Sequence, residues 1–307
     1  ITHFSLGFSP VGQILCLEKE VLVLEKNRLL LSPSSSCFFS WGSPDNSCAF
    51  GNYVTEKVLS EGLRGWGTTL CAACPNSTTV ITAGTSTVVC VWRVTVNSAD
   101  FLSLQPLYGH TDSVTCLAVS EVHNMVVSGS CDLTCILWDL EELSYITQLT
   151  GHTNSISALA INDLTGEIAS CAGPELYLWT MKGQLLSSSD TSSGPRADIL
   201  CVCFSQRHEW DSRNVIVTGC TNGVMQIWKT EYTATQLPGP PEEPVSPGDK
   251  CWERRLVLCR ELSRSQVMSQ RPSRRNPAIT ALAMSRSHAT LLAGDAWGRV
   301  FTWTCEA

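Results

Sequence analysis

Short runs of apolar residues, bounded by glycine, serine and aspartate, recur along most of the chain. The stretch 107–140 contains three in succession, and the third, Cys135-Ile136-Leu137-Trp138, has no polar position. Successive side chains of a β-strand point to opposite faces, so this strand must be covered on both faces. The pattern predicts short strands in sheets that are each packed between two neighbours.

These runs repeat with a regular period. The tryptophans near the ends of third strands are separated by 46, 41, 49 and 75 residues: Trp92, Trp138, Trp179, Trp228 and Trp303. A period in the forties with four short strands per unit is typical of the blades of a β-propeller, and the last interval fits one blade plus an insertion. We predict an all-β propeller with six recognisable blades and leave a seventh open.

One unit, Tyr108–Leu140, has the complete pattern of a WD repeat, with a Gly-His pair, three strands and a final Trp-Asp. In that pattern four side chains meet inside the blade, and here they are His110, Ser128, Asp132 and Trp138. The carboxylate and the hydroxyl would fix the roles of the two imidazole nitrogens, and the indole N–H would gain an acceptor. A chance match is the alternative, but the motif stands in the strand context that it requires. We predict that the four residues form a structural tetrad.

Neighbouring units keep only part of this motif. The unit that follows retains His152, Ser170 and Trp179, which we predict to form a partial tetrad, but its turn 173–175 is one residue shorter and lacks the aspartate. The unit that precedes retains a threonine, Thr82, at the serine position and has no histidine. Packing is expected to hold that preceding blade together.

The whole chain is interpreted as a single WD-repeat β-propeller domain, 1–307, with approximate blades at 1–60, 61–107, 108–149, 150–187, 188–262 and 263–307. Residues 233–251 are rich in proline and glycine, which predicts a mobile insertion in the fifth blade. The last blade lacks a fourth strand before Ala307, so ring closure is expected to be incomplete in this fragment. We expect the missing strand to come from sequence ahead of Ile1 in a parent protein.

Composition and charge indicate which kinds of partner and which cellular compartment to expect. The chain has 307 residues, a formal net charge of −7 and 43% hydrophobic residues. An acidic chain is a poor binder of nucleic acid, which requires a basic face. No apolar run is long enough to cross a bilayer, and we expect a soluble cytoplasmic fragment of a larger protein. Most of the sixteen cysteines lie in predicted strands, where they fit as small apolar residues in a reducing compartment and not as disulfides.

Three further stretches carry a more specific resemblance: GHTNSISALAINDLTGEIASCAG at 151–173, HEWDSRNVIVTG at 208–219 and GDAWGRVFTW at 294–303. With the stretch 107–140, they resemble the C-terminal WD-repeat domain of BEACH-domain proteins, most of all the Alfy-like group of WD-repeat and FYVE-domain-containing proteins. The resemblance implies a cytoplasmic scaffold in vesicle and endosomal trafficking and selective autophagy, peripheral on endosomal or autophagic membranes, with the parent BEACH domain in cis.

Two family features are missing from the sequence. The FYVE finger would require paired CxxC motifs after the propeller, and the chain stops at Ala307 without them, so the resemblance implies a paralogue lacking the finger. The insertion 233–251 also lacks the aromatic-x-x-aliphatic motif that docks on ubiquitin-like autophagy proteins. A similar motif at Phe101-x-x-Leu104 is better explained as an outer blade strand.

Nothing in the sequence favours catalysis, and we predict no enzyme activity. It contains no Gly-x-Ser-x-Gly elbow, no His-Glu-x-x-His and no phosphate loop. Cys71-x-x-Cys74 is a lone pair without a second pair at zinc spacing, and an offset of three places the two side chains on opposite faces of a strand. We therefore predict no metal site and no cofactor.

Protein partners are the remaining expectation. In the family pattern, loops entering first strands and loops joining second to third strands share one face of a propeller. The candidate residues on this face are Trp66, Asp112, Asn154, Arg196, Asn222, Arg275, Asp295 and Trp297. Trp297 is the sharpest candidate, because it stands in a tight turn where the motif calls for aspartate and because tryptophan is a favoured interface anchor. The alternative is that most of these are ordinary solvent-facing loop residues.

A basic loop is a second candidate surface. Its arginines are Arg264, Arg271, Arg274 and Arg275. Guanidinium groups bind phosphate in a bidentate manner, so this loop is a candidate contact for an anionic membrane surface or a phosphorylated partner. The alternative is a solvated loop without a ligand.

The function predicted from the sequence is a non-catalytic protein-interaction scaffold. A substrate-presenting propeller subunit of a ubiquitin ligase is the alternative. The usual sign of such a subunit is Trp-Asp-x-Arg, and Trp138-Asp139-Leu140-Glu141 lacks the arginine.

Overall fold

All regular structure in the described part of the chain is β-strand. The computed structural model describes residues 2–5, 13–16, 21–24, 28–31, 37–41, 49–52, 57–61, 67–76, 79–94, 101–191, 197–212, 214–236, 250–263, 276–285 and 290–304. Their strands form antiparallel sheets, six of four strands and one of two strands within these ranges. The prediction of an all-β propeller is confirmed.

Four consecutive sheets form the central part of the chain. The first is β8 (Thr69–Asn76), β9 (Thr79–Gly84), β10 (Val89–Val94) and β11 (Phe101–Leu107). The second is β12 (Val114–Ser120), β13 (Met125–Ser130), β14 (Cys135–Asp139) and β15 (Tyr145–Leu149). The third is β16 (Ile156–Ile161), β17 (Ile168–Ala172), β18 (Glu175–Trp179) and β19 (Leu185–Asp190). The fourth is β20 (Ile199–Phe204), β21 (Ile216–Cys220), β22 (Val224–Gln236) and β23 (Lys250–Ser263).

The remaining sheets involve both ends of the described chain. One sheet contains β4 (Arg28–Leu31), β5 (Cys37–Trp41), β6 (Ala49–Asn52) and β7 (Lys57–Glu61). A two-stranded sheet contains β2 (Gln13–Cys16) and β3 (Val21–Leu24). The last contains β24 (Ile279–Met284), β25 (Thr290–Asp295), β26 (Arg299–Thr304) and β1 (Thr2–Ser5).

The fourth strand of the last sheet comes from this chain. β1 pairs with β26 in antiparallel register, from Thr2 opposite Thr302 to Ser5 opposite Arg299. The expectation that sequence ahead of Ile1 supplies this strand was therefore wrong. The reason is that pairing with β1 covers the open edge of β26. Residues 1–60, expected to be one blade, contribute strands to three sheets.

First strands of neighbouring sheets pack side by side. This packing runs from β4 through β8, β12, β16, β20 and β24 to β2. Closure between the β2–β3 sheet and the β4–β7 sheet is not detected among these strands, in keeping with the expected incomplete ring.

Each first strand of the four central sheets carries a bulge near its start, where a side chain links two sheets. The Thr115 hydroxyl lies 3.1 Å from the Gly129 carbonyl of its own sheet and 2.5 Å from the Ile156 carbonyl of the next. Ser157 repeats this arrangement one sheet further on, at 2.6 Å from the Ile199 carbonyl. A β-bulge redirects a side chain, and here it joins neighbouring blades by hydrogen bonds.

The hydrophobic cores lie between the sheets. One joins β12–β15 to β16–β19 through residues such as Leu137, Leu149 and Ile168, all fully buried. The third-strand tryptophans Trp138 and Trp228 are only 2% and 3% exposed. Sheets covered on both faces are what the uniformly apolar strands predicted.

The insertion in the fifth blade begins later than expected. β22 and β23 remain paired from Val224 opposite Ser263 as far as Gln236 opposite Lys250. Residues 233–236 and 250–251 are therefore strand and not loop, while 237–249 lie outside the described residues. Thr233 and Thr235 are β-branched and the first proline is Pro238, which explains why the ladder extends this far.

Candidate functional site

The complete motif forms a continuous hydrogen-bonded chain inside the sheet β12–β15. His110, ahead of β12, has Nδ1 2.8 Å from Asp132 Oδ2 and Nε2 2.8 Å from Ser128 Oγ. The indole Nε1 of Trp138 donates to the same Ser128 oxygen at 2.9 Å. The structure thus brings the four predicted residues together, with Ser128 fully buried and Trp138 2% exposed.

Asp132 holds this chain at its outer end. Burial of its carboxyl disfavours the charge, but hydrogen bonds from the Thr134 hydroxyl, the Thr111 amide and the His110 ring outweigh burial and lower the pKa of Asp132. The Thr134 hydroxyl donates to Oδ1 at 2.6 Å and the Thr111 amide to Oδ2 at 2.9 Å. The carboxylate therefore stays ionised and fixes both the turn and the imidazole.

The sheet β16–β19 contains a shorter chain. Ser170 Oγ lies 2.8 Å from His152 Nε2 and accepts a 2.8 Å hydrogen bond from Trp179 Nε1, so the three residues of the partial tetrad meet. His152 Nδ1 is buried and lacks a hydrogen-bond partner among the described residues. Burial lowers the pKa of His152 to about 4. This imidazole is therefore neutral near pH 7.

Glu175 takes up part of the missing role in this sheet. Its Oε2 accepts hydrogen bonds from the Thr153 hydroxyl and the Tyr177 hydroxyl, both at 2.5 Å. The Tyr177 ring packs edge-on against His152 with centroids 4.6 Å apart. From the sequence, Glu175 was identified only as part of a shortened turn. Tyr177, two residues later and so on the same face of the strand, could have indicated that the carboxylate has a hydrogen-bond donor nearby.

In two other sheets, the third-strand tryptophan keeps the hydrogen bond to the residue at the serine position. Trp92 Nε1 donates to Thr82 Oγ1 at 2.8 Å, and Trp228 Nε1 donates to Thr218 Oγ1 at 3.2 Å. Threonine therefore stands in for serine as the acceptor of the indole.

We use the name entry face for the side formed by loops that precede first strands and loops that join second to third strands. Three predicted residues on it, Asp112, Asn154 and Asn222, are exposed. Trp66, Arg196 and Arg275 lie outside the described residues. The entry face thus holds these three candidates at its surface.

Asp295 was wrongly expected at this surface, because its side chain is fully buried. Its Oδ1 accepts hydrogen bonds from the amides of Trp297 at 2.8 Å and Arg299 at 3.0 Å. Ser130 does the same in the complete repeat by accepting from the Asp132 amide at 3.1 Å. Asp295 is thus the side chain that closes the β25–β26 turn.

Trp297 sits in that turn with 40% of its surface exposed. The Arg299 guanidinium lies 5.0 Å from the centre of its ring, within the range of a cation–π interaction. Sequence reasoning did not single out Arg299, although its place two residues after Trp297 was visible. The turn presents a tryptophan whose backbone and ring are both supported from within the protein.

The chain is similar in sequence to known proteins, both in its repeats and over nearly its whole length. The WD domain, G-beta repeat family matches residues 101–139 and 183–229. The human WD repeat- and FYVE domain-containing protein 4 is 46% identical over 318 residues, covering 99% of this chain and 10% of that protein. BEACH domain-containing protein A2 of Arabidopsis thaliana is 30% identical over 96% of this chain and 8% of that protein. The chain belongs to the WD-repeat domains of BEACH proteins.

This BEACH-protein WD-repeat domain has further relatives. The human Lysosomal-trafficking regulator is 31% identical over 64% of the chain and 5% of that protein. Among solved structures, the computationally designed Ika8 protein matches with a TM-score of 0.62 and 22% identity, over 90% of this chain and 70% of that one. The domain spans about a tenth of the length of the curated relatives named here, or less. Such domains are generally non-catalytic interaction domains.

Several other features of the WD-repeat domain bear on its candidate sites. No group of three or more metal-binding side chains occurs within the described ranges. The described residues also include no helix that is long and apolar enough to cross a membrane. Phe101–Leu107 is the outermost strand of its sheet, as the strand interpretation of Phe101-x-x-Leu104 requires. The basic loop of Arg264, Arg271, Arg274 and Arg275 lies outside the described residues.

Proposed function

We propose that this domain is a non-catalytic protein-interaction scaffold of a large BEACH-type protein that acts in vesicle and endosomal trafficking and in selective autophagy. The observation that carries this proposal is the supported tryptophan on the entry face. Trp297 is exposed in a turn that Asp295 closes from inside, so binding would order few additional groups. Preorganised aromatic anchors of this kind dominate the affinity of many protein interfaces.

The proposal assigns no reaction to the domain. Its polar chains have structural tasks, because the histidines His110 and His152 are buried between strands and not open to a substrate. The expected partners are proteins bound through the entry face and the parent BEACH domain in cis. The expected location is cytoplasmic, with peripheral attachment to endosomal or autophagic membranes.

The test compares the parent protein carrying Trp297→Ala with the wild type by proximity labelling. A matched control is Leu258→Ala, which removes a side chain of similar exposure (36%) from the outer strand β23. We expect Trp297→Ala to leave the melting temperature unchanged and to remove a subset of trafficking or autophagy proteins that Leu258→Ala retains. A labelled set identical to that of the wild type contradicts the assignment of Trp297. If deletion of the whole domain also leaves the labelled trafficking and autophagy proteins unchanged, the proposed function itself is contradicted.

Electrostatic membrane contact through the arginine loop is a separate part of the proposal. Attraction between exposed charges is screened by salt, so vesicle binding through Arg264, Arg271, Arg274 and Arg275 should weaken when about 150 mM salt is added. Binding that does not change with salt contradicts this contact.

A further inference from the structure

The loops on the side opposite the entry face form a second surface, which we name the exit face. It is made of the loops that join first to second strands, at 121–124, 162–167 and 205–212 with 214–215, and of the turns that join third to fourth strands, at 140–144 and 180–184. In an antiparallel sheet these connections all lie at the same end, so three successive sheets present them side by side.

Each of the three loops exposes a large apolar side chain. Val122 is 73% exposed, Leu164 is 47% exposed and Trp210 is 82% exposed. Met181, in the neighbouring turn, is 37% exposed and lies beside Gly166. Single exposed apolar residues are ordinary on a protein surface, but their presence on each of three neighbouring loops points to an interaction site.

Hydrogen bonds between the loops fix the spacing of this series. His123 Nε2 lies 3.0 Å from the Asp163 carbonyl oxygen, which joins the first loop to the second. The Asp163 amide donates to Gln206 Oε1 at 2.7 Å, and the Asn162 side chain donates to the Arg207 carbonyl at 2.9 Å, which joins the second to the third. A partner would therefore meet loops that are already ordered, at a reduced entropic cost.

Trp210 has its own support. Its ring stacks on His208 with centroids 4.4 Å apart and planes 5° apart. Arg254, on β23, forms ion pairs with Glu167 in the second loop and with Glu209 in the third, the latter at 3.5 Å. The Arg254 guanidinium thus ties β23 to the second and third loops.

Charge indicates the chemistry of the partner. The exposed acids of the described exit face are Glu121, Glu141, Glu142 and Glu209, whereas Lys182 is the exposed lysine among its described residues. An apolar series with acidic residues around it is complementary to a segment that carries apolar and basic side chains. Anionic lipid headgroups would be repelled by the same carboxylates.

We propose that the exit face docks a peptide segment of a partner protein in which basic residues alternate with large apolar residues. Val122, Leu164 and Trp210 contact the apolar side chains, and the exposed glutamates contact the basic ones. This surface is independent of Trp297, which lies on the entry face.

The experiment uses the full chain 1–307 and three synthetic peptides of equal length. One alternates arginine with leucine, one alternates glutamate with leucine, and one alternates arginine with serine. We expect the Arg/Leu peptide to bind and to change the tryptophan fluorescence of the wild type more than that of Trp210→Ala, with at least about tenfold weaker binding to Trp210→Ala, as for an interface hot spot. Leu258→Ala, which removes an exposed side chain of β23 outside the exit-face loops, is the control and should bind like the wild type. Glu121→Gln with Glu142→Gln should weaken binding, and added salt should do the same.

Three outcomes overturn the proposal. Equal affinity for the Glu/Leu or the Arg/Ser peptide would show that the surface does not require both features. Unchanged affinity of Trp210→Ala, with an unchanged melting temperature, would show that the exposed indole takes no part. Sedimentation with phosphatidylserine vesicles in the absence of peptide binding would assign the exit face to a membrane.

Discussion

The neighbouring sheets β12–β15 and β16–β19 contain the same histidine, serine and tryptophan in nearly the same geometry, and they differ in one carboxylate. In the first, Asp132 binds the outer nitrogen of His110 at 2.8 Å. In the second, the equivalent nitrogen of His152 is buried without a hydrogen-bond partner among the described residues. The first sheet is held by a polar chain with every member paired, whereas the second leaves one member dependent on packing.

This difference shows how a blade tolerates the loss of a motif residue. The turn of the second sheet is shorter, and Glu175 turns its carboxylate to Tyr177 and Thr153 and not to the imidazole. Aromatic rings then cover His152, with Tyr177 at 4.6 Å and Trp179 at 5.3 Å between centroids. Since an unpaired buried nitrogen is costly in its charged form, the ring remains neutral.

The largest expected effect comes from breaking the complete chain with Asp132→Ala. This change leaves His110 Nδ1 and the Thr134 hydroxyl without their acceptor, and each buried group left unpaired costs about 1–3 kcal/mol of unfolding free energy. Thermal and denaturant unfolding measure the loss.

The matched control for that change is Asp112→Ala, an exposed aspartate ahead of the same first strand, which should shift stability by no more than about 0.5 kcal/mol. A melting temperature for Asp132→Ala equal to that of the wild type would show that the hydrogen-bonded chain adds nothing to stability.

A smaller effect should distinguish the second sheet by its response to pH. The folded pKa of His152, about 4, lies below its ordinary value of 6.5. Between these two values, His152 is protonated in the unfolded protein but not in the folded one. The free energy of unfolding should therefore fall as the pH is lowered from about 6.5 towards 4. The contribution is fully present above pH 6.5.

Comparison with His152→Gln isolates this contribution, because the other groups titrate in both proteins. The pKa of Asp132 is lowered from 3.8, so its own loss of stability begins below this window. Free energies of unfolding of the two proteins should converge as pH falls from 7 to 4. Parallel curves would contradict a neutral buried imidazole.

The smallest effect on stability is expected in the sheet β20–β23, where only the tryptophan and the threonine of the motif are hydrogen-bonded. Thr218→Val keeps the shape of the side chain but removes the acceptor of the Trp228 indole, which is 3% exposed, at a cost of about 1 kcal/mol. Thr82→Val is the control, because Trp92 is only half-buried and its N–H has easier access to water. Equal losses in the two variants, measured by chemical denaturation, would contradict a dependence on burial.

The features that sequence reasoning captured are those encoded within one repeat. His110, Ser128, Asp132 and Trp138 stand at spacings that bring them together as soon as three adjacent strands pair. The uniformly apolar third strands likewise record burial on both faces, since each residue must face a neighbouring sheet.

The features that it missed depend on contacts that no local pattern records. The sequence of Thr2–Ser5 fits an edge strand of any sheet, and only the folded arrangement of the sheets decides that it pairs with β26. The strands β22 and β23 stay hydrogen-bonded to each other well beyond the length of the other strands of their sheet. Arg254 of β23 also forms an ion pair with Glu167, which lies in a loop of the neighbouring sheet. Asp295 was wrongly expected at the surface. The repeat motif has its aspartate at the position of Trp297, whereas in this turn the carboxylate that accepts the backbone hydrogen bonds comes two residues earlier.

The pairing of β1 with β26 also bears on the order of events during synthesis. The central sheets each consist of consecutive strands and can form as the chain leaves the ribosome. The last sheet joins Thr2 to Thr302, so it cannot be completed until the residues up to β26 have emerged. Contacts between residues so distant in sequence slow folding. Until then β1 and β26 lack each other as pairing partners, and an unpaired strand edge of this kind is prone to aggregation.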